Sequence, residues 1–238
     1  MSKTMLFRLA DPEKEPTNTL IDSDNTCILA DSTRILDVIP VFNIILPFWT
    51  DSNVQLDTVF ACIKNYDAIL KKVEEAENKG KKYISSSLVN RNEELSIISL
   101  QPLKDMLVFY QKYHDVSKIE MKESDMPFLY EYMIEFVRRN DYSEKQGRFN
   151  SVFFYENLEV AVFSNKRLHK KSGSLCEVEI EETRNIEKYD GRWISDIRET
   201  CIFSEFLNAS KSYWEGKMTD NPQIEYLFSG KYILKDIG

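Results

Sequence analysis

Residues 221–234 read NPQIEYLFSGKYIL. β-Branched and aromatic residues dominate on both sides of Ser229-Gly230, the pattern of two strands joined by a tight turn in which glycine supplies a positive φ. The expectation is a closing β-hairpin. Side chains alternate along a strand, which sends Gln223 and Glu225 to one face and Ile224, Tyr226 and Phe228 to the other. An amide and a carboxylate two residues apart, backed by an apolar row, form either a solvated strand face or one wall of a cleft. The rest of the chain has to supply the other wall.

Upstream of this stretch the chain changes character twice. Residues 150–156, NSVFFYE, and 173–182, GSLCEVEIEE, alternate as strands, with a helix expected over 158–168 between them and another over 204–214. Residues 4–9, TMLFRL, read as a short opening strand. The middle is helical. Val59, Ile63, Tyr66, Ile69, Leu70 and Val73 recur at three- and four-residue spacing through 56–79, with Gly80 placed as a C-terminal cap. Further helices are expected over 102–113 and 126–139. Between 11 and 55 turn signals precede an apolar run in which Pro40 and Pro47 should break any long helix. A strand first, helices in the middle and strands last make an α+β protein, read as a single domain over 1–238 with a helical insertion at about 56–140.

Bulk properties narrow the function classes. A chain of 238 residues with 42% hydrophobic residues can bury a core. Its formal net charge of −8 argues against binding driven by broad attraction to nucleic acid or anionic lipid. No apolar run is long enough for a signal peptide or a membrane span, which implies a cytoplasmic protein with no membrane partner. Four scattered cysteines and two histidines give no metal-ligand spacing, so no metal is expected. Glycine-rich dinucleotide and phosphate loops are absent, as is the G-x-S-x-G elbow of α/β-hydrolases.

Three short motifs in chain order carry a resemblance. Arg8 lies in MLFRLAD, Ser151 in GRFNSVFFYENLEVAVFS, and Gln223 and Glu225 in PQIEYLFSGKYIL. This order resembles the Arg-Ser-Glu class of ADP-ribosyltransferases, and the sequence from Gly147 onward looks like uncharacterised bacterial and phage proteins thought to share that fold. The resemblance covers the first ten residues and about the last ninety. It implies a split β-sheet core and NAD as co-substrate.

On that resemblance Glu225 would hold the ribose 2′-hydroxyl and stabilise the oxocarbenium-like sugar as nicotinamide leaves. Gln223, on the same strand face, would orient the incoming acceptor. Arg8 would clamp the dinucleotide phosphates with its planar fork of donors, and Ser151 would support the glutamate. Arg148 is a candidate second phosphate ligand, and Phe154 and Tyr155 are either core residues, the reading their apolar strand favours, or candidates to stack on nicotinamide. Glu215, in a Trp-Glu-Gly turn, is the competing carboxylate.

The acceptor would be a macromolecule. Residues 165–171, NKRLHKK, form the densest positive cluster, a solvated loop in the simpler reading and the place to grip RNA or DNA if the acceptor is a nucleic acid, whereas the overall charge leans toward protein. The implied biology is a mono-ADP-ribosyltransferase acting as a bacterial toxin or phage-defence effector, with an antitoxin as neutralising partner. The alternatives are an NAD glycohydrolase and a catalytically inactive binding or regulatory module.

Overall fold

A computed structural model describes residues 5–11, 13–26, 33–85, 97–118, 122, 125–162, 173–197 and 201–237. The chain is α+β and forms two compact units. One comprises Met1–Ile35, Tyr130–Asp196 and Ala209–Gly238, the other Leu36–Leu129 and Ile197–Asn208. The helical unit thus begins some twenty residues before the expected insertion and includes a short segment, Ile197–Asn208, that lies between the last two strands of the chain.

The helical unit holds helices α1 (Thr33–Ser52), α2 (Leu56–Lys64), α3 (Tyr66–Asn78) and α4 (Leu100–Ser117) and an antiparallel pair of short strands, β3 (Tyr83–Ser85) and β4 (Ile97–Ser99). Both prolines of the 35–49 run lie inside α1, contrary to the break expected there. Val38, Val41, Phe42, Ile45, Phe48 and Trp49 are all buried on one helical face. Six such side chains, at about 1.5–3 kcal/mol each, outweigh roughly 3 kcal/mol for each proline. Trp49 packs edge-on against Phe203 at 5.2 Å and donates its indole N–H to the Val54 carbonyl. The expected 56–79 helix is interrupted at Asn65, whose φ of −121° leaves the helical region and whose side-chain amide caps the Ala61 carbonyl.

The sheet unit is built on one long antiparallel ribbon. Strand β6 (Ser174–Asp190) pairs with β7 (Ile224–Asp236) from Cys176↔Asp236 to Asp190↔Ile224. The expected hairpin is therefore absent: Ser229-Gly230 lies inside one continuous strand. Gly230 adopts φ +147°, and an added Cβ would run into the Glu182 carbonyl oxygen. Register shifts at Ile180/Glu182 and Thr183/Asn185 place bulges opposite it. Glycine here bends a strand rather than turning a corner.

The bend gives the two halves of β7 different neighbours. Residues 225–228 pair with β5 (Val152–Tyr155), and residues 231–233 pair with β2 (Leu20–Asp22). Strand β1 (Phe7–Ala10) pairs with the first half of β6 and touches β5 through Phe7↔Tyr155. Leu6, Ala10, Val152, Phe154, Cys176, Val178, Phe228, Tyr232 and Leu234 form one apolar cluster and so define a core face of the sheet. Helix α5 (Met126–Asp141), the helical residues 158–162 (α6), α7 (Arg192–Ser195) and α8 (Phe203–Trp214) complete the chain order. Beyond 162, the expected 158–168 helix lies outside the described residues, as does the basic cluster 165–171.

Candidate active site

Glu225 stands on β7 opposite Tyr155 of β5 on one side and Tyr189 of β6 on the other. Because Tyr226 and Phe228 face the core cluster, alternation sends Glu225, Tyr155, Phe153 and Tyr189 to the opposite face. Glu225 is only 5% exposed. It is not on a solvated strand face.

A buried polar network meets it there. Glu131 and Glu135 sit one turn apart beside the apolar stripe of α5 formed by Leu129, Tyr130, Met133, Ile134 and Val137. Arg148, in a short 3₁₀ turn (Arg148–Asn150) ahead of β5, donates Nε and Nη2 to the two oxygens of Glu131 at 2.6 and 3.0 Å. Its Nη1 reaches the Tyr213 hydroxyl at 2.6 Å and Oε1 of Glu225. The guanidinium also lies over the Phe153 ring, 4.6 Å from its centroid. Tyr213, at the end of α8, donates its hydroxyl to the same Oε1 at 2.6 Å and stacks on Tyr189 at 4.6 Å.

Electrostatics reinforce this arrangement. Burial works against the Arg148 charge, but Glu131 and Glu225 overcome it and hold the guanidinium well above its usual range. Burial likewise pushes the Tyr213 phenol well up, against the pull of Arg148, so it stays protonated and donates to Glu225. One guanidinium thus serves two carboxylates, leaving a formal excess of one negative charge. Glu225 is held through one oxygen only. Among the described residues Oε2 has no hydrogen-bond partner, and it faces the Cα of Gly191.

Asp190 frames the approach to that oxygen. It is fully buried and accepts four hydrogen bonds, from the Arg192, Thr219 and Gln223 backbone N–H groups and the Thr219 hydroxyl, at 2.6–2.9 Å. Burial alone would raise its carboxyl, and these bonds bring it below the usual aspartate range. Gly191 N–H donates to the Gln223 carbonyl, the Ser195 hydroxyl to Gln223 Oε1, and the Trp193 indole to the Lys217 carbonyl. Together they staple the 190–195 turn to the segment 217–223.

The residues expected to form a single site divide between the two sheet faces. Arg8 is opposite Cys176 and between Leu6 and Ala10, so it lies on the core face, away from Glu225. Its Nε and Nη2 form a bidentate pair with fully buried Glu15 at 2.7 and 3.0 Å, and Nη1 donates to the Phe153 carbonyl. Tyr232 donates to Glu15 as well. This geometry departs from the phosphate clamp expected of Arg8, since each of its three nitrogens already has an internal partner. Phe154 is closed inside the core against Phe228 and Tyr232, at 4.9 and 5.2 Å, and offers no surface for stacking.

Ser151 shares the Glu225 face but bonds elsewhere. Its hydroxyl donates to the Gly147 carbonyl at 2.8 Å and accepts from Gln146 Nε2 at 2.7 Å. It braces the turn that presents Arg148 and supports Glu225 only through that residue. Arg148, expected as a second phosphate ligand, is bonded here to Glu131, Tyr213 and Glu225. Gln223 immediately precedes β7 beside Glu225, and Glu215 pairs with Lys217 and Tyr142. Glu131, Tyr213, Tyr189 and Asp190 were not expected. Two glutamates interrupting the margin of an apolar helix face were the available signal for a buried counterion.

The fold and this network define an α+β protein with a half-clamped buried carboxylate on a bent antiparallel ribbon. Residues 51–237 match a family model described as "Protein of unknown function (DUF2441)", and the chain belongs to that family. No curated protein matches it. Among the described residues no helix is long and apolar enough to cross a membrane, and no group of three His, Cys, Asp or Glu side chains could hold a metal ion.

Proposed function

We propose that this protein is an NAD-dependent mono-ADP-ribosyltransferase that modifies a macromolecule in the cytoplasm, as a toxin or defence effector. The antiparallel ribbon of β6 and β7, with β5 on one half of β7 and β2 on the other, supports the reading beside the Arg-Ser-Glu resemblance. One observation carries the reading: Glu225 is fixed through Oε1 while Oε2, in a network with one excess negative charge, has no partner among the described residues.

Oε2 would accept a hydrogen bond from the ribose 2′-hydroxyl. As the C–N bond to nicotinamide breaks, its electron pair leaves with the base and positive charge develops on the ribose, where the fixed carboxylate stabilises it. A unit charge about 4 Å from Oε2 interacts by about 4 kcal/mol in a partly buried site, worth roughly a thousandfold in rate. Gln223 stands at the rim, where the nucleophile of the acceptor would arrive and attack the anomeric carbon.

Glu225→Gln tests this directly. It removes one of two carboxylates sharing Arg148, so the thermal midpoint should stay at or above that of the wild type while NAD cleavage falls about a thousandfold. Unchanged turnover would sink the reading. Incubation with labelled NAD and separate pools of cell protein, RNA and DNA identifies the acceptor, and free ADP-ribose as sole product would mark a glycohydrolase.

A second reading, a non-catalytic binding module, is favoured by a specific feature: the donors of both Arg8 and Arg148 are engaged internally. Absence of NAD binding at millimolar concentration in folded protein selects it.

A further inference from the structure

We infer that Gly191 is the access position of the Glu225 site, its missing side chain keeping open the space through which a substrate hydroxyl reaches Oε2. This rests on the transferase reading above. Gly191 has φ −63°, a value any residue adopts, so conformational freedom does not explain glycine here. Space does. A Cβ built at this position would lie 3.1 Å from Glu225 Oε2, 3.2 Å from its Cδ and 3.3 Å from the Gln223 carbonyl oxygen.

Neither neighbour can readily give way. Glu225 is anchored through Oε1 by Arg148 and Tyr213, and the Gln223 backbone is pinned by its N–H to Asp190 and its carbonyl to Gly191 N–H, both at 2.8 Å. Oε2, which lies beside Gly191, has no hydrogen-bond partner among the described residues. A methyl group placed there would occupy the volume of the incoming hydroxyl.

The test measures NAD affinity by titration calorimetry, together with kcat and KM for NAD cleavage, in the full chain. Gly191→Ala should raise the dissociation constant and KM for NAD at least thirtyfold, with native circular dichroism. The double variant Gly191→Ala/Glu225→Asp withdraws the carboxylate by one methylene and should regain at least tenfold in affinity over Gly191→Ala, although Glu225→Asp alone weakens binding. A merely structural glycine would not show that rescue.

An active wild type with Gly191→Ala within threefold of it in affinity and KM overturns the inference and leaves the transferase reading standing. A folded wild type that neither binds nor cleaves NAD removes both. Should Gly191→Ala fail to fold, the double variant decides. If it folds and binds NAD within threefold of Glu225→Asp, the shared space is upheld, and if it does not, the inference falls.

Discussion

Replacing Arg148 by Met exposes how the Glu225 network is balanced. Methionine keeps the aliphatic volume and still packs on Phe153, but it removes the guanidinium donors now serving Glu131, Tyr213 and Glu225 and leaves Glu225 only the Tyr213 hydroxyl. Two buried carboxylates would then face each other with no cation between them. Stranding buried charges by deleting their partner costs about 3–5 kcal/mol. At about 2–4 °C per kcal/mol for a chain of this size, the midpoint should drop by roughly 10 °C. Arg148→Lys should fall between, because an ammonium cannot bond both oxygens of Glu131 in the plane that the guanidinium does. Denaturant titration followed by circular dichroism measures the loss. Adding Glu225→Gln should return about 1–3 kcal/mol, a coupling read from the double-mutant cycle. An Arg148→Met penalty under about 1 kcal/mol, or strict additivity with Glu225→Gln, would refute the buried triad.

Other expectations follow from the same geometry. Glu15→Gln strands Arg8 on the core face and should cost about 3–5 kcal/mol, whereas a phosphate-clamping Arg8 would leave stability alone and lose NAD affinity on substitution; melting curves and NAD titration separate the two. Gly230→Ala should cost at least about 3 kcal/mol, since φ +147° and the Glu182 carbonyl both oppose a side chain, and a midpoint near that of the wild type would contradict the bend. Asp190→Asn should cost roughly 2–3 kcal/mol at neutral pH by facing an amide N–H₂ toward donors. Because the folded Asp190 carboxyl lies below its ordinary value, its contribution is complete above that value and lost as pH falls through the folded one. The gap between wild type and Asp190→Asn should therefore be flat from pH 9 to about 5 and close below about pH 4.

Periodicity made much of this fold legible. The helices expected over 102–113, 126–139 and 204–214 occur as Leu100–Ser117, Met126–Asp141 and Phe203–Trp214, because apolar side chains at three- and four-residue spacing bury one face of each. Where local rules and packing competed, packing won. Pro40 and Pro47 sit within α1 because the buried face from Val38 to Trp49 outweighs two lost backbone bonds. Ser229-Gly230 has the composition of a turn, yet its neighbours on both sides pair with β6, and a glycine can bend a strand as readily as reverse it. Strand alternation together with the Arg-Ser-Glu resemblance singles out Glu225, and Arg148 is named for another role, but Glu131, Tyr189 and Tyr213 are not, since they meet Glu225 only in three dimensions. Arg8 shows the converse. Motif order placed it with Glu225, while strand register, which a single sequence does not display, put it on the other face.

Strand β7 has a consequence for synthesis. Everything it pairs with, β2, β5 and β6, precedes it in the chain, and β2 finds its hydrogen-bonding partner only in residues 231–233. On the ribosome, the amino-terminal strands therefore wait for about two hundred residues before their sheet can close, an arrangement of high contact order that favours slow maturation. Glu225 arrives with β7, after Glu131, Arg148 and Tyr213 are already in the chain. A nascent chain halted before that strand carries Glu131, Arg148 and Tyr213 without the second carboxylate that completes their network.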